Sequence, residues 1–154
     1  MVLEIDIKKE FNGFKLLMDA VANEGITGIF GPSASGKSTL LNCIAGFEKP
    51  DHGLISLNSE ILFSSSLKIN IPTEKRKVGY VHQHSALFPH LTVRKNVEFG
   101  LNLTEDSRRM ISLQELVNLF HLDRIMDRGV LNLSGGERQR VALARSLAAS
   151  PELL

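Results

Sequence analysis

A chain of 154 residues, 43% hydrophobic and 23% charged, has the size and residue usage of one soluble folded domain with a core of its own. A net charge of +1 excludes the global field that draws a protein onto nucleic acid or an anionic membrane, so either would have to be met locally. One cysteine, Cys43, excludes an internal disulfide and reads as a small buried apolar side chain in a reducing compartment.

The opening "MVLEIDIKKE" puts acids where a secretory signal needs a basic and then an apolar run. No apolar stretch nears the roughly 20 residues of a membrane span, so the expectation is a cytoplasmic protein that does not itself cross a membrane. Alternation in "VLEIDIKKEF" predicts an opening strand. After a turn, the apolar run from Ile26 to Phe30 predicts a strand buried on both faces, which Gly31 ends. From Gly36 the pattern turns helical, with Leu40, Leu41, Ile44 and Ala45 on one side and Gly46 as the C-terminal cap. "KPDHGLISLN" reads as a turn and a short strand, "EILF" as another, residues 64–77 as a polar loop and Val78 to Val81 as one more buried strand. The basic group "EKRK", Glu74 to Lys77, reads as a solvated loop.

Helices follow. Thr92 is placed as an N-cap, and Ser112 with Glu115 has capping-box spacing ahead of a face made by Leu113, Leu116, Val117 and Phe120. Ser134 with Glu137 repeats that spacing at the head of a helix through Val141, Leu143, Ala144, Leu147 and Ala148, closed by Ser150 and Pro151. The division expected is a strand-rich part over 1–90 and a helical part over 91–149.

The chemistry concentrates in two places. Gly31, Pro32, Ser33, Ala34, Ser35, Gly36, Lys37, Ser38 and Thr39 satisfy the phosphate-loop pattern between a predicted strand and a predicted helix. The glycines let the backbone curl so that successive amides face phosphate oxygens, and the helix N-terminus adds partial positive charge. Lys37 is a mobile point charge for the β and γ phosphates, and Ser38 offers a hydroxyl to magnesium. This loop alone leaves kinases, small GTPases and many ATPases open. The second place is "LSGGERQR", Leu133 to Arg140, where two adjacent glycines in a first helical turn cost about 1 kcal/mol each relative to alanine. A well-capped helix alone does not need them; bare backbone that a phosphate can approach does.

With Gln83 in "YVHQ" between these two stretches, the chain resembles the ATP-binding cassette family, whose nucleotide-binding subunits carry a phosphate loop, a glutamine loop and a serine-glycine-glycine signature in this order. The resemblance covers essentially the whole chain. It implies a P-loop NTPase of doubly wound α/β class, with a mostly parallel sheet, an antiparallel strand region and an inserted helical subdomain. It also implies ATP and Mg2+ as ligands, with Lys37 and Gln83 catalytic and Ser38 and Gln83 on the metal. A head-to-tail dimer with a second nucleotide-binding subunit is implied too, each ATP lying between one subunit's Gly31 to Thr39 and the other's Ser134, Gly135, Gly136 and Glu137. The further partners implied are transmembrane permease subunits at the cytoplasmic face of the inner membrane, to which the chain would be peripheral; nucleic acid is not among them. Glu137 stands where the family often has glutamine, and His82 where it commonly has phenylalanine. An aromatic ring near the first strand would stack on adenine, with Phe11 the first candidate and Phe14 the second. His82, His84 and His90 are not joined by an acid or cysteine ligand and are not expected to hold a metal.

"IPTEKRKVGYVHQHSALFPHLTVRKNVEFGL" is similar in particular to the ATP-binding subunits of bacterial oxyanion importers, molybdate above all. The family continues after "SPELL" with a strand ending in an aspartate and a glutamate that serve hydrolysis, so the expectation is that the C-terminal part of the fold lies outside these residues and that the 154 residues alone are inactive. Two other readings stay in view. One is a non-catalytic ATP-binding or regulatory module. The other is a chromosome-maintenance ATPase, which needs long coiled-coil heptads where only about fifty residues separate Gln83 from Ser134.

Overall fold

The computed structural model describes residues 1–11 and 13–154. They form two compact units, Met1–Arg76 and Lys77–Leu154.

The first unit is built on an antiparallel sheet in the order β2-β1-β3-β4-β5, from β1 (Val2–Phe11), β2 (Phe14–Asn23), β3 (His52–Leu57), β4 (Glu60–Ser64) and β5 (Ile69–Asn70). Alternation along β1 buries Leu3, Ile5 and Ile7 and turns Glu4 and Asp6 outward, as a strand with one covered face requires. β2 was not expected. Its period of two is blurred because the outward positions Leu17 and Val21 are apolar and exposed, so only Leu16 marks the covered face clearly.

The expected buried strand at residues 26–30 is irregular, with Ile26 104% and Phe30 94% exposed. An apolar run supplies the wish for burial but not the partner. A strand buried on both faces needs hydrogen-bonded neighbours, and none among the described residues pairs with this segment. Likewise the expected strand at residues 78–81 is reduced to a single parallel bridge, Val78 to Leu153. The class is therefore α/β as expected, but the formed sheet is the antiparallel one, and parallel pairing among the described residues is confined to that bridge.

Helix α1 (Lys37–Ala45) follows the phosphate loop and buries Leu40, Cys43, Ile44 and Ala45. Gly46 ends it at φ 89°, its amide donating to the Asn42 carbonyl. Behind Gly46 lies Arg76, 2% exposed, which donates to the carbonyls of Cys43, Ile44 and Ile71 at 2.8 Å each and to Asn70 Oδ1 at 2.9 Å. The guanidinium completes the carbonyl end of α1 and favours its negative dipole end. This corrects the solvated-loop reading of residues 74–77 at Arg76, whose burial follows from acceptors that lie far back in the sequence. Burial also raises the Cys43 thiol to about 11, in keeping with a packed, unreactive side chain.

The second unit packs α2 (Val93–Leu101), α3 (Leu113–Leu119) and α4 (Gly135–Ala148) around Val93, Val97, Leu116, Leu122, Val141 and Ala144. Thr92 caps α2 by accepting from the Lys95 amide, and Ser112 and Ser134 begin α3 and α4 with complete capping boxes. Gly100 lets α2 approach α4, since a Cβ there would run into the Arg145 carbonyl oxygen. The unit begins at Lys77. Residues 77–90 are held by the helical part: Gly79 donates to the Leu153 carbonyl, Glu152 to the Lys77 carbonyl, and the buried Asn96 side chain bonds both the amide and the carbonyl of Phe88. No helix of the described residues is long and apolar enough to cross a membrane.

Candidate functional site

In the first unit, residues 31–36 wrap the N-terminus of α1. Ala34 and Gly36 have φ of 63° and 92°, and Gly36 is the N-cap residue. A Cβ at Gly31 would lie 2.8 Å from Ser35 Oγ, and one at Gly36 would lie 2.8 Å from the Phe14 ring and 3.2 Å from Leu16. Glycine at 36 is thus demanded twice, by its left-handed backbone and by the two side chains that β2 places against it. No side chain caps α1, and its first turn has no acid. Lys37 folds its ammonium back over the loop, donating to the carbonyls of Gly31 (2.9 Å) and Pro32 (2.7 Å). Ser38 is exposed in the same turn. The arrangement offers an anion an uncapped helix end and a cation already in place beside it.

Phe11 and Phe14 face each other across the β1–β2 pair. Phe14 is half-buried against Gly36, whereas Phe11 is 44% exposed and has Lys9 Nζ at 5.2 Å from its ring centroid. Phe14 packs against Gly36 beneath the loop, and its partner across the strand pair, Phe11, keeps the more exposed ring.

In the second unit, Ser134 Oγ accepts from the Glu137 amide (3.3 Å) and Glu137 Oε2 accepts from the Ser134 amide (2.7 Å). That backbone hydrogen bond holds the Glu137 carboxyl below the usual range. A Cβ at Gly135 would meet nothing within 4 Å, and one at Gly136 only Arg140 Nη1 at 3.8 Å. Gln83 is exposed in a turn where Ser85 and Ala86 both take positive φ. The far half of α4 holds this turn from both sides: Arg145 Nη2 donates to the Ala86 carbonyl (2.8 Å) with its guanidinium 4.9 Å from the Phe88 ring centroid, and Ser146 Oγ bonds the Tyr80 carbonyl (3.4 Å). One helix therefore carries the Ser134–Glu137 motif at its head and anchors the Gln83 turn along its body.

Residues 18–154 match the ABC transporter family. The chain belongs to that family. Within the ABC transporter family it is 42% identical over 153 residues to the molybdenum import ATP-binding protein ModC of Paramagnetospirillum magneticum, covering 99% of this chain and 42% of that protein. It is 46% identical over 146 residues to ModC of Methylococcus capsulatus, covering 94% and 40%. The chain thus spans about two fifths of the length of these curated relatives. Among solved structures it is similar to a dimeric ATP-binding cassette in a post-hydrolysis state bound to ADP and phosphate, with a TM-score of 0.72, 29% identity, and coverage of 98% of this chain and 71% of that one. An ATP-binding subunit of an ABC transporter at 20% identity and TM-score 0.73 shares the fold. The chain therefore has the ABC cassette form of the P-loop NTPase fold.

Three residues of these sites were not singled out by the sequence: Lys9, Arg76 and Arg145. Lys9 alone left a signal, a charge at a position where the β1 alternation calls for an apolar side chain.

Proposed function

We propose that this chain is the ATP-binding part of an ABC importer subunit that couples ATP binding and hydrolysis to uptake of molybdate or a related oxyanion. The observation that carries the reading is the pairing of an uncapped phosphate-loop helix with a separate serine-glycine-glycine helix head in one ABC family chain. The cargo is supported by kinship, through two relatives that are both molybdenum import ATP-binding proteins.

The roles are those the family resemblance implies, and the geometry of the loop and of the two helix heads supports them. The loop amides of residues 31–39 and the α1 dipole hold the β and γ phosphates, and Lys37 exchanges the carbonyls of Gly31 and Pro32 for phosphate oxygens. Phe11 stacks on adenine. Among the described residues no three His, Cys, Asp or Glu side chains group to hold a metal, and the exposed Ser38 hydroxyl fits a magnesium held chiefly by the phosphates. Magnesium would neutralise phosphate charge there. Gln83 orients the attacking water, and Ser134, Gly135, Gly136 and Glu137 meet the γ phosphate of a second subunit's nucleotide in a head-to-tail dimer. Transmembrane permease subunits place the assembly at the cytoplasmic face of the inner membrane.

The test joins residues 1–154 to the remainder of ModC from Paramagnetospirillum magneticum and measures labelled molybdate uptake in cells lacking their own importer ATPase. Uptake that depends on Lys37 supports the reading. A hybrid that binds ATP and assembles with the permease yet imports no molybdate defeats the assignment of cargo.

A further inference from the structure

The inward face of β1 runs Leu3, Ile5, Ile7, Lys9 and Phe11, and the first three are at most 7% exposed. Lys9 takes the fourth place in this apolar stripe with only 13% of its side chain exposed. Burying an ammonium is costly unless it is paired, and here the pairing is thorough. Nζ lies 2.9 Å from Glu48 Oε1, 3.4 Å from Asp51 Oδ1 and 2.9 Å from the Lys49 carbonyl to which it donates. The hydrogen bond Lys9 donates to the Glu48 carboxylate raises the Lys9 pKa, so the ammonium stays charged.

The residues that hold Lys9 belong to the turn after α1. Glu48 donates its amide to the Asn42 carbonyl within that helix, Asp51 donates its amide to the Lys8 carbonyl, and Asp51 Oδ2 accepts from the Glu10 amide at 2.7 Å. This clamp fixes the end of β1 against the far end of the phosphate helix. On its other side the same strand end is fixed by Phe14 and Leu16, which flank Gly36 at the near end of that helix. Phe11 sits between the two fixings. One face of its ring is covered by the Lys9 ammonium at 5.2 Å, and the side chain remains 44% exposed.

Resting on the reading that Phe11 stacks on adenine, we propose that Lys9 is a positioning residue for the base: its clamped ammonium holds the Phe11 ring by one face so that the other receives the adenine of the ATP whose phosphates lie on residues 31–39. A ring held beforehand loses less freedom when the base arrives, and the gain falls on the base and not on the phosphates. A lysine that served only as a strut between β1 and the turn at 48–51 would act on base and phosphate alike.

The two roles separate in a calorimetric titration of the chain with ATP and with inorganic tripolyphosphate, which carries the phosphates but no base. Lys9→Met should weaken ATP about three- to tenfold while leaving tripolyphosphate within about twofold of the parent. Lys9→Arg, whose guanidinium also lies flat on aromatic rings and pairs with carboxylates, should keep most of the ATP affinity. Phe11→Ala should show the same base-selective loss, somewhat larger. The proposal is overturned by Lys9→Met binding ATP as the parent does, by equal losses for ATP and tripolyphosphate, or by Lys9→Arg losing as much as Lys9→Met. Should Phe11→Ala leave ATP affinity untouched while Lys37→Ala abolishes it, the stacking reading itself fails and this inference with it. A selective loss in Phe11→Ala without one in Lys9→Met removes the role of Lys9 alone.

Discussion

Two helices of this chain begin at loops rich in serine and glycine, and their first turns are built in opposite ways. At α1 no side chain caps the amides, the N-cap residue is a left-handed glycine wedged against Phe14, and the nearby cation rests on loop carbonyls. At α4 the Ser134 and Glu137 side chains already satisfy two of the terminal amides, and the glycines that follow face open space. On the proposed reading, the difference separates two ways of meeting a phosphate. The first helix leaves donors for a ligand to fill and needs its glycine to fold. The second closes two of its amides with its own side chains and keeps its glycines clear of contacts, which suits a site that something else must approach.

The sharpest way to break this contrast is at Lys37. Lys37→Ala should weaken ATP binding by about thirty- to a hundredfold, the worth of one charge-assisted hydrogen bond, as read by titration with a fluorescent nucleotide. Lys37→Arg should lose most of the same affinity because a planar fork cannot replace a compact ammonium inside the loop. Parent-like affinity in both would mean that α1 is not the phosphate site.

Glycine substitutions test the folding half of the contrast. Gly36→Ala forces a Cβ into the Phe14 ring at φ 92° and should cost about 1–3 kcal/mol in urea unfolding. Gly135→Ala meets nothing and should be neutral or stabilising by up to about 1 kcal/mol. Equal costs at the two positions would erase the distinction.

Smaller still, Ser134→Ala removes a cap and should cost about 1 kcal/mol of stability while leaving the chain's own ATP affinity unchanged. An affinity loss comparable to that of Lys37→Ala would place α4 in the same site as α1 without a partner.

The least effect is in pH. The Glu137 carboxyl is held below its ordinary range by the Ser134 amide, so its stabilising share is present at neutral pH and is lost as pH falls through the lowered folded value. Glu137→Gln should flatten that part of the acid dependence, measured as the stability difference from the parent between neutral pH and about pH 3. Parallel curves would show that the carboxylate charge adds nothing to the cap.

What the sequence disclosed follows the range of the interactions. The capping boxes at Ser112 and Ser134, the Thr92 cap and the Gly46 cap were legible because each is closed within four residues. The phosphate loop was legible for the same reason. Ile26 to Phe30 and Val78 to Val81 were misread because hydrophobicity reports the tendency to bury and says nothing of which strand lies alongside. β2 escaped because Leu17 and Val21 put apolar groups on the outward face. Arg76 escaped because the helix carbonyls that bury it lie more than thirty residues back, and Lys9, though it breaks the β1 alternation, gave no hint of its partners some forty residues on.

Arg76 also orders events in time. The carbonyls of Cys43 and Ile44 are closed by a residue 33 and 32 positions later in the chain, and synthesis runs from the N-terminus at about 5–20 residues per second. For some seconds after α1 has left the ribosome, its rear end has only water to bond. The last residue of the first unit is the one that finishes the helix beneath the phosphate loop. A nascent chain stalled before residue 76 should therefore carry the whole loop sequence and yet hold nucleotide poorly, with competence arriving when one guanidinium reaches the back of the helix.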